Sequence, residues 1–368
     1  PAEHFHRYSN WAAAALYDRY LVTLDHEFLL DLLDDLVVDY GVWESERRRP
    51  DGLFWQYDVW DGMEESISGG RQTKNVRPTI NSYMAASARA IARIATMAGR
   101  RDIADEFDSK SQRLRAAMLD AMWDAEAQFF KVQFEGGGLS NAREAIGFIP
   151  WMFDLAGPEH AAAWRQIKDR NGFWAPWGLT TAERRHPTFR SRGTGTCEWD
   201  GAVWPFASSQ TLSGLANVIR GPDQPYVTRH DFFEQLLTYA RAHQMDGKAY
   251  IGEYHDEING EWLITGPKAQ RSRYYNHSTF NDLIIHGLVG IVPREDDMLQ
   301  IDPLIPPDAW DWFCLDAVSY HGHCLTIVWD RTGARYGRGA GFSIWDATGE
   351  LARSASLERL TAALPASD

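Results

Sequence analysis

The chain has 368 residues and a formal charge of −14, from 37 basic and 51 acidic side chains. That length accommodates one large domain with a small appendage, and the acidity argues against non-specific nucleic-acid binding, which requires a basic face. No apolar run is long enough to span a membrane. No signal peptide is visible, and because the chain begins at Pro1 rather than Met, localisation and the loss of a preceding segment both stay open.

Helical signals come first along the chain. Asn10 to Leu24 is Ala-rich with an Asn cap candidate, and Glu27 to Tyr40 repeats apolar residues at three and four. Asn81 to Ala98 and Asp102 to Trp123 are longer helices, the first opened by Asn81. Shorter candidates cover Ala142 to Leu155 and His160 to Lys168. Ala202 to Ile219, Arg229 to His243 and Ser278 to Val289 follow. The connecting loops are dense in Gly, Trp, Tyr and charge, as expected where loops carry function. After Pro293 the pattern changes to short β-rich runs at Met298–Leu304, Trp312–Val318, Cys324–Trp329 and Ala340–Trp345. Leu357 to Leu364 reads as a last helix or a ragged tail. The expected division is therefore a helical catalytic domain over 1–292 and a small β-rich domain over 293–368. Cys197, Cys314 and Cys324 contain no CxxC; Cys314 and Cys324 could face each other in adjacent strands, but reduced thiols are expected.

Three stretches concentrate carboxylates among large rings. Leu53 to Ser66, LFWQYDVWDGMEES, places Asp61, Glu64 and Glu65 beside Phe54, Trp55, Tyr57 and Trp60. Rings that exclude water raise a carboxyl pKa and keep its proton available, which suits a general acid. Tyr250 to Trp262, YIGEYHDEINGEW, places Glu253 between Gly252 and Tyr254. Two acids across a pocket can protonate a leaving oxygen and activate a water, the pairing that acetal hydrolysis needs. Cys197 to Phe206, CEWDGAVWPF, offers Trp199 and Trp204 as ring platforms. Asp200 reads there either as a helix cap or as an acceptor for sugar hydroxyls.

Taken in order, these stretches resemble clan G of the glycoside hydrolases, the group of trehalases, family 63 glucosidases and mannosylglycerate hydrolases. Gly62–Met63–Glu64–Glu65–Ser66 matches the family's acid motif with Glu64 in place of Asp. Glu253–Tyr254–His255–Asp256 with Asn259–Gly260 resembles the base motif, and Trp199–Asp200–Gly201–Ala202–Val203–Trp204 is similar to its Trp-Arg-Gly-Pro-x-Trp. The likeness extends over about Trp55 to Val289. A looser one connects the chain to family 142-like proteins, associated with β-L-arabinofuranosidase activity. The resemblance implies a mainly α (α/α)6 toroid, an exo-acting inverting hydrolase, Glu64 as acid and Glu253 as base. About nine helices are legible against the twelve of a full barrel, which points to helices hidden in loops or to a toroid incomplete at its N-terminus.

The expected substrate-binding set is Trp55, Asp61, Glu65, Arg71, Asn75, Glu183, Arg184, Trp199, Asp200, Trp204, Tyr254, His255, Tyr275 and His277. Asp61 and Glu65 are reserve acids; Asp256 and Glu257 are reserve bases. Arg71 and Asn75 lie in RQTKNVRP, where Arg suits planar anions. Glu183 and Arg184 lie in TTAERRHP near Trp174 and Trp177. Histidines lack metal-ligand spacing, HExxH is absent, and no nucleotide fingerprint occurs; no metal or cofactor is expected, and the partner is a carbohydrate. Two alternatives stand beside hydrolysis: a sugar epimerase using His255 and His277 as acid and base, and a non-catalytic carbohydrate-binding protein.

Overall fold

A computed structural model describes residues 6–192, 197–264, 266–274 and 277–365. It is helix-rich with a strand-built C-terminal part. Helices α1 (Ala12–Thr23), α2 (His26–Asp31) and α3 (Leu33–Arg47) lead to a long loop. Then come α4 (Pro78–Met97) and α5 (Arg101–Met122), antiparallel neighbours joined by a short turn. The turn-rich middle holds a 3-10 segment at Ala145–Phe148, α6 (Ile149–Met152) and a 3-10 run at Pro158–Ile167. Helices α7 (Pro205–Arg220) and α8 (Arg229–Ala242) follow. Next are α9 (Ala269–Ser272) and α10 (His277–Asp282), and the latter runs on into a π-helical turn at Leu283–Val289.

Several boundaries move from the sequence reading for a physical reason. Both α4 and α7 start at a proline in the first helical position, where its missing N–H costs nothing. Asn81 therefore lies inside α4 rather than capping it. Its amide accepts from Phe54 N at 2.8 Å and donates to Phe54 O at 2.8 Å, pinning the backbone that leads to the acid-rich loop. Asp200 caps no helix, because α7 begins five residues later. Ala142 to Leu155 does not form one helix; it divides into a 3-10 turn and four α-helical residues starting next to Pro150.

Helix α4 is the hub. It is buried along nearly its whole length and packs against α1, α3, α5 and α6, as expected of a helix without a solvent face. Much of the tryptophan content is core. Trp164 packs on Phe148 (4.6 Å between centroids) and Trp151 (5.5 Å), and Phe129 packs on Phe148 at 4.9 Å. Such pairs add roughly 0.5–1.5 kcal/mol each beyond their burial.

The C-terminal part has two antiparallel sheets. One is a four-stranded meander of Trp312–Tyr320, His323–Asp330, Gly341–Asp346 and Gly349–Ser354. In the other, Met298–Ile301 lies between Ile291–Val292 and Leu360–Ala363. The expected terminal helix or tail is thus a strand, with Met298 opposite Ala363 and Ile301 opposite Leu360. Cys314 faces Val328 and Cys324 faces Ser319, so the two thiols occupy different rungs and are free. His321 ties the sheets to α1, its N–H donating to Val22 O at 2.9 Å. Buried residues form one continuous cluster through both parts. Among the described residues no helix is long and apolar enough to cross a membrane.

Candidate active site

The rings of the first stretch close on a cation rather than on an acid. Arg47, at the end of α3, lies 4.3 Å from the Trp55 ring centroid and 4.4 Å from that of Trp60; Tyr57 bridges the two rings at 5.0 and 4.6 Å. Burial pushes the Arg47 guanidinium down to about 10. Lys74 covers Trp55 at 4.9 Å. Trp55 is 7 % exposed, buried between Arg47 and Lys74 rather than open to solvent.

Beyond the rings the chain turns through a short loop held by two left-handed residues, Gly62 (φ 70°) and Glu65 (φ 64°). For Glu65 that conformation costs on the order of 1 kcal/mol. Between them Met63 points inward, 1 % exposed, and Glu64 is part-exposed. Among the described residues Glu64 makes no hydrogen bond or ion pair; Arg71 is within electrostatic reach. Arg71 pairs with Glu65 at 3.1 Å on the surface.

The side chain of Asp61, before the turn, is wholly internal. It pairs with Arg77 at 2.5 Å, both side chains at zero exposure, and accepts from Ser9 at 2.7 Å and from Thr79. Arg77 and Thr79 flank the start of α4, where backbone N–H groups favour an anion. Burial alone would lower the Arg77 pKa, but Asp61, Glu144 and Asp58 raise it above the usual value. Glu144 is fully buried; desolvation lifts its carboxyl above the usual range, partly offset by Arg77 and by hydrogen bonds from Ser68. Asp58 is raised by burial in the same way, against Arg77 and the Val59 N–H.

A continuous run of hydrogen bonds joins this loop to the other two stretches. Ser68 donates to Glu144; Ala145 N donates to Thr181 O at 2.8 Å; Thr181 N donates to Ala202 O at 3.2 Å; Val203 and His255 exchange both backbone bonds at 3.0 Å. Gly201 lies against the Arg190 backbone so closely that a Cβ would collide with the Arg190 carbonyl, which explains the glycine in Trp-Asp-Gly-Ala-Val-Trp. Trp199 stacks on Trp204 at 4.2 Å, and Trp204 stacks on Tyr254 at 4.6 Å. Tyr254 hydrogen-bonds to Glu198 and lies within electrostatic reach of Glu253; burial first, then Glu198, with smaller contributions from Cys197 and Glu253, raises its phenol pKa well above the usual value. Glu253 itself is part-exposed.

The structure therefore assembles the three stretches and distributes the expected residues unevenly. Tyr254, Trp199 and Trp204 form the stack. Several polar residues are engaged within the protein. Asp200 holds Arg190 (2.8 Å to Nε), and Glu183 holds Arg143 (2.8 Å) and Arg185 (3.3 Å). Arg184 donates to the carbonyls of Arg170 and Trp174, and Asn75 bridges Ser68 O and Glu135 N at 2.9 Å each. The reserve base Asp256 pairs with Arg192 at 2.7 Å, which with backbone N–H groups outweighs desolvation and lowers its pKa; Glu257 accepts from Ser191. His255 is 1 % exposed and edge-on to Trp262, and burial pushes its pKa down to about 4. Tyr275 lies outside the described residues, and so does the side chain of His277, which opens α10. Sequence reasoning missed Glu198 and Glu144. Glu198 adjoins the Trp-Asp-Gly stretch and was within reach of that signal; Glu144 in AREAIGF has no local motif. No group of three or more His, Cys, Asp or Glu side chains suited to a metal ion occurs among the described residues.

This arrangement has known relatives. A family model described as the mannosylglycerate hydrolase MGH1-like glycoside hydrolase domain matches residues 1–278. The chain belongs to this family. A second model, the C-terminal domain of glycosyl hydrolase family 65, matches residues 293–345 of this MGH1-like chain. A solved structure named a sialidase is 47% identical, with a TM-score of 0.94; the match covers 97% of this chain and 33% of that one, so this chain spans about a third of its length. The GH63 mannosylglycerate hydrolase from Thermus thermophilus, solved with glucose, is 16% identical with a TM-score of 0.55 over 74% of this chain and 72% of its own. The GH78 family rhamnosidase of Bacillus sp. GL1 is 13% identical with a TM-score of 0.60, over 88% of this chain and 30% of its own. The last two likenesses are of fold.

Proposed function

We propose that this MGH1-like chain is an exo-acting, inverting glycosidase with Glu64 as general acid and Glu253 as general base. The observation that carries the reading is the hydrogen-bonded and ring-stacked continuity between the Glu64 loop, Trp199–Trp204 and the Glu253 loop. Both glutamates are part-exposed, and the side chains of Asp61, Asp200 and Asp256 hold arginines. Inversion requires the two carboxyls to stand roughly 6.5–9.5 Å apart with water between them. The helices are read as an (α/α)6 toroid, a reading supported by the fold likeness to the GH63 hydrolase; α4 and α7 open towards the site. The substrate is a carbohydrate. The epimerase alternative is disfavoured, since His255 is buried and held neutral near pH 7.

The test is a panel of aryl glycosides with NMR readout of the first-formed anomer. Glu64→Gln and Glu253→Gln are each expected to lower kcat by at least about 10²–10⁴-fold with unchanged melting. Retention of configuration, or near-normal turnover in either variant, refutes the assignment.

A further inference from the structure

Against Met63 lies a small chamber of mixed lining that includes Ser66, Arg77, Glu144, Trp199 and Gln210. Its volume, counted as room for water centres, is about 10 Å³, which holds one oxygen-sized group. Four buried donors there have no hydrogen-bond partner among the described residues: Arg77 Nη1, Arg77 Nη2, Ser66 Oγ and Trp199 Nε1. Arg77 is at zero exposure and Trp199 at 3 %. Buried donors left unmatched cost about 1–3 kcal/mol each, so a fold that gathers several at one chamber is built to receive an acceptor.

The geometry points to a binding seat for a single uncharged oxygen, held by Trp199, Ser66 and Arg77 behind the Glu64 loop. An anion is disfavoured because the Arg77 charge is already met by Asp61 at 2.5 Å, with Glu144 and Asp58 close by. An apolar occupant would leave every donor unmatched. A water, or one hydroxyl of a sugar, supplies two lone pairs, enough to accept from two of these N–H donors, Trp199 Nε1 and one Arg77 nitrogen. It also supplies hydrogen for the Glu144 carboxyl or the Gln210 carbonyl, while the Ser66 hydroxyl both gives and accepts. Nε2 of Gln210 is already committed to Tyr83 at 2.7 Å, which turns that amide to a fixed orientation. The oxygen would link the buried Arg77 to Ser66, the residue that follows Glu64 and Glu65 in sequence, and so fix the loop from behind. The seat does not depend on which carboxylate performs the chemistry.

Two crystal structures decide its occupant, one of the free chain and one soaked in glucose, at a resolution that shows ordered water. An isolated oxygen peak within hydrogen-bond distance of Trp199 Nε1 and of Ser66 or Arg77 identifies a water. Density continuous with a sugar ring identifies a hydroxyl. Both outcomes support the seat. In solution, Ser66→Ala and Trp199→Phe are each expected to lower the melting temperature by about 1–2 °C. The double variant should lose less than the sum, because both act through one shared oxygen. Ser66→Ala alone with its own crystal structure replaces the cycle if Trp199→Phe does not fold. A seat with no oxygen in either structure, occupation by a chloride or sulfate, or fully additive variants overturns the inference.

Discussion

The Asp61–Arg77 pair makes the sharpest test of how the acid-rich loop is divided between structure and chemistry. Asp61→Asn keeps the shape of the side chain and removes its charge. Arg77, at zero exposure, then loses the counter-charge 2.5 Å away, and the new amide presents hydrogens at one of two oxygen positions, where either Ser9 or Thr79 and Arg77 need an acceptor. Breaking a buried pair by neutralising one member costs about 3–5 kcal/mol. Glu144 beside Arg77 absorbs part of this, so about 3 kcal/mol is expected. With unfolding entropy near 2.1 cal/mol/K per residue over 368 residues, the melting temperature falls by about 4 °C. Calorimetry measures that shift, and turnover at 25 °C should stay within about tenfold of the parent enzyme. If melting moves by less than one degree while turnover vanishes, Asp61 faces the substrate as an acid, and its structural role is wrong.

Three further outcomes follow from the same geometry. His255 is held neutral with a pKa near 4, whereas unfolded it takes a proton near 6.5; the unfolded state therefore binds more protons between these values. Stability falls as pH drops from about 6.5 to about 4, by up to about 3 kcal/mol, and His255→Asn should flatten that part of a pH-melting curve; a curve identical to the parent's refutes it. Glu144 has the opposite sign. Its folded pKa is raised, so stability declines as pH rises from the ordinary glutamate range towards the raised value, and Glu144→Gln should remove that decline in urea titrations run across the window. Gly201→Ala drives a methyl into the Arg190 carbonyl and should cost about 1–3 kcal/mol; an unchanged urea midpoint would show that the contact is loose.

Helices with one clear apolar stripe were legible from residues alone. Helix α5 was placed to within a residue or two because Ile103, Phe107, Leu114 and Met118 recur on one face. The strand at Leu360–Ala363 was not, since its partner lies some sixty residues earlier and its own alternation is weak. The stretches around Glu64, Trp199 and Glu253 announced themselves by carrying acids among rings. What those rings touch was not readable: Arg47 comes from α3, and nothing near it in the chain marks it as the filling between Trp55 and Trp60. Glu144 stayed hidden for the same reason. Its partner Ser68 is 76 positions away, and Gln210 meets Tyr83 across 127. Local pattern reports which face is apolar; it does not report which distant polar group will arrive to share a buried pocket.

The stack of Trp199, Trp204 and Tyr254 has a mechanical consequence. Flat rings at van der Waals separation cannot be squeezed, so the column acts as a spacer of fixed thickness between the chamber behind Met63 and the loop bearing Glu253. Replacing its central ring with a slimmer side chain would let the outer rings settle towards each other. The separation between the chamber-lining Trp199 and the Glu253 loop is then adjustable at one position, Trp204, without altering either glutamate.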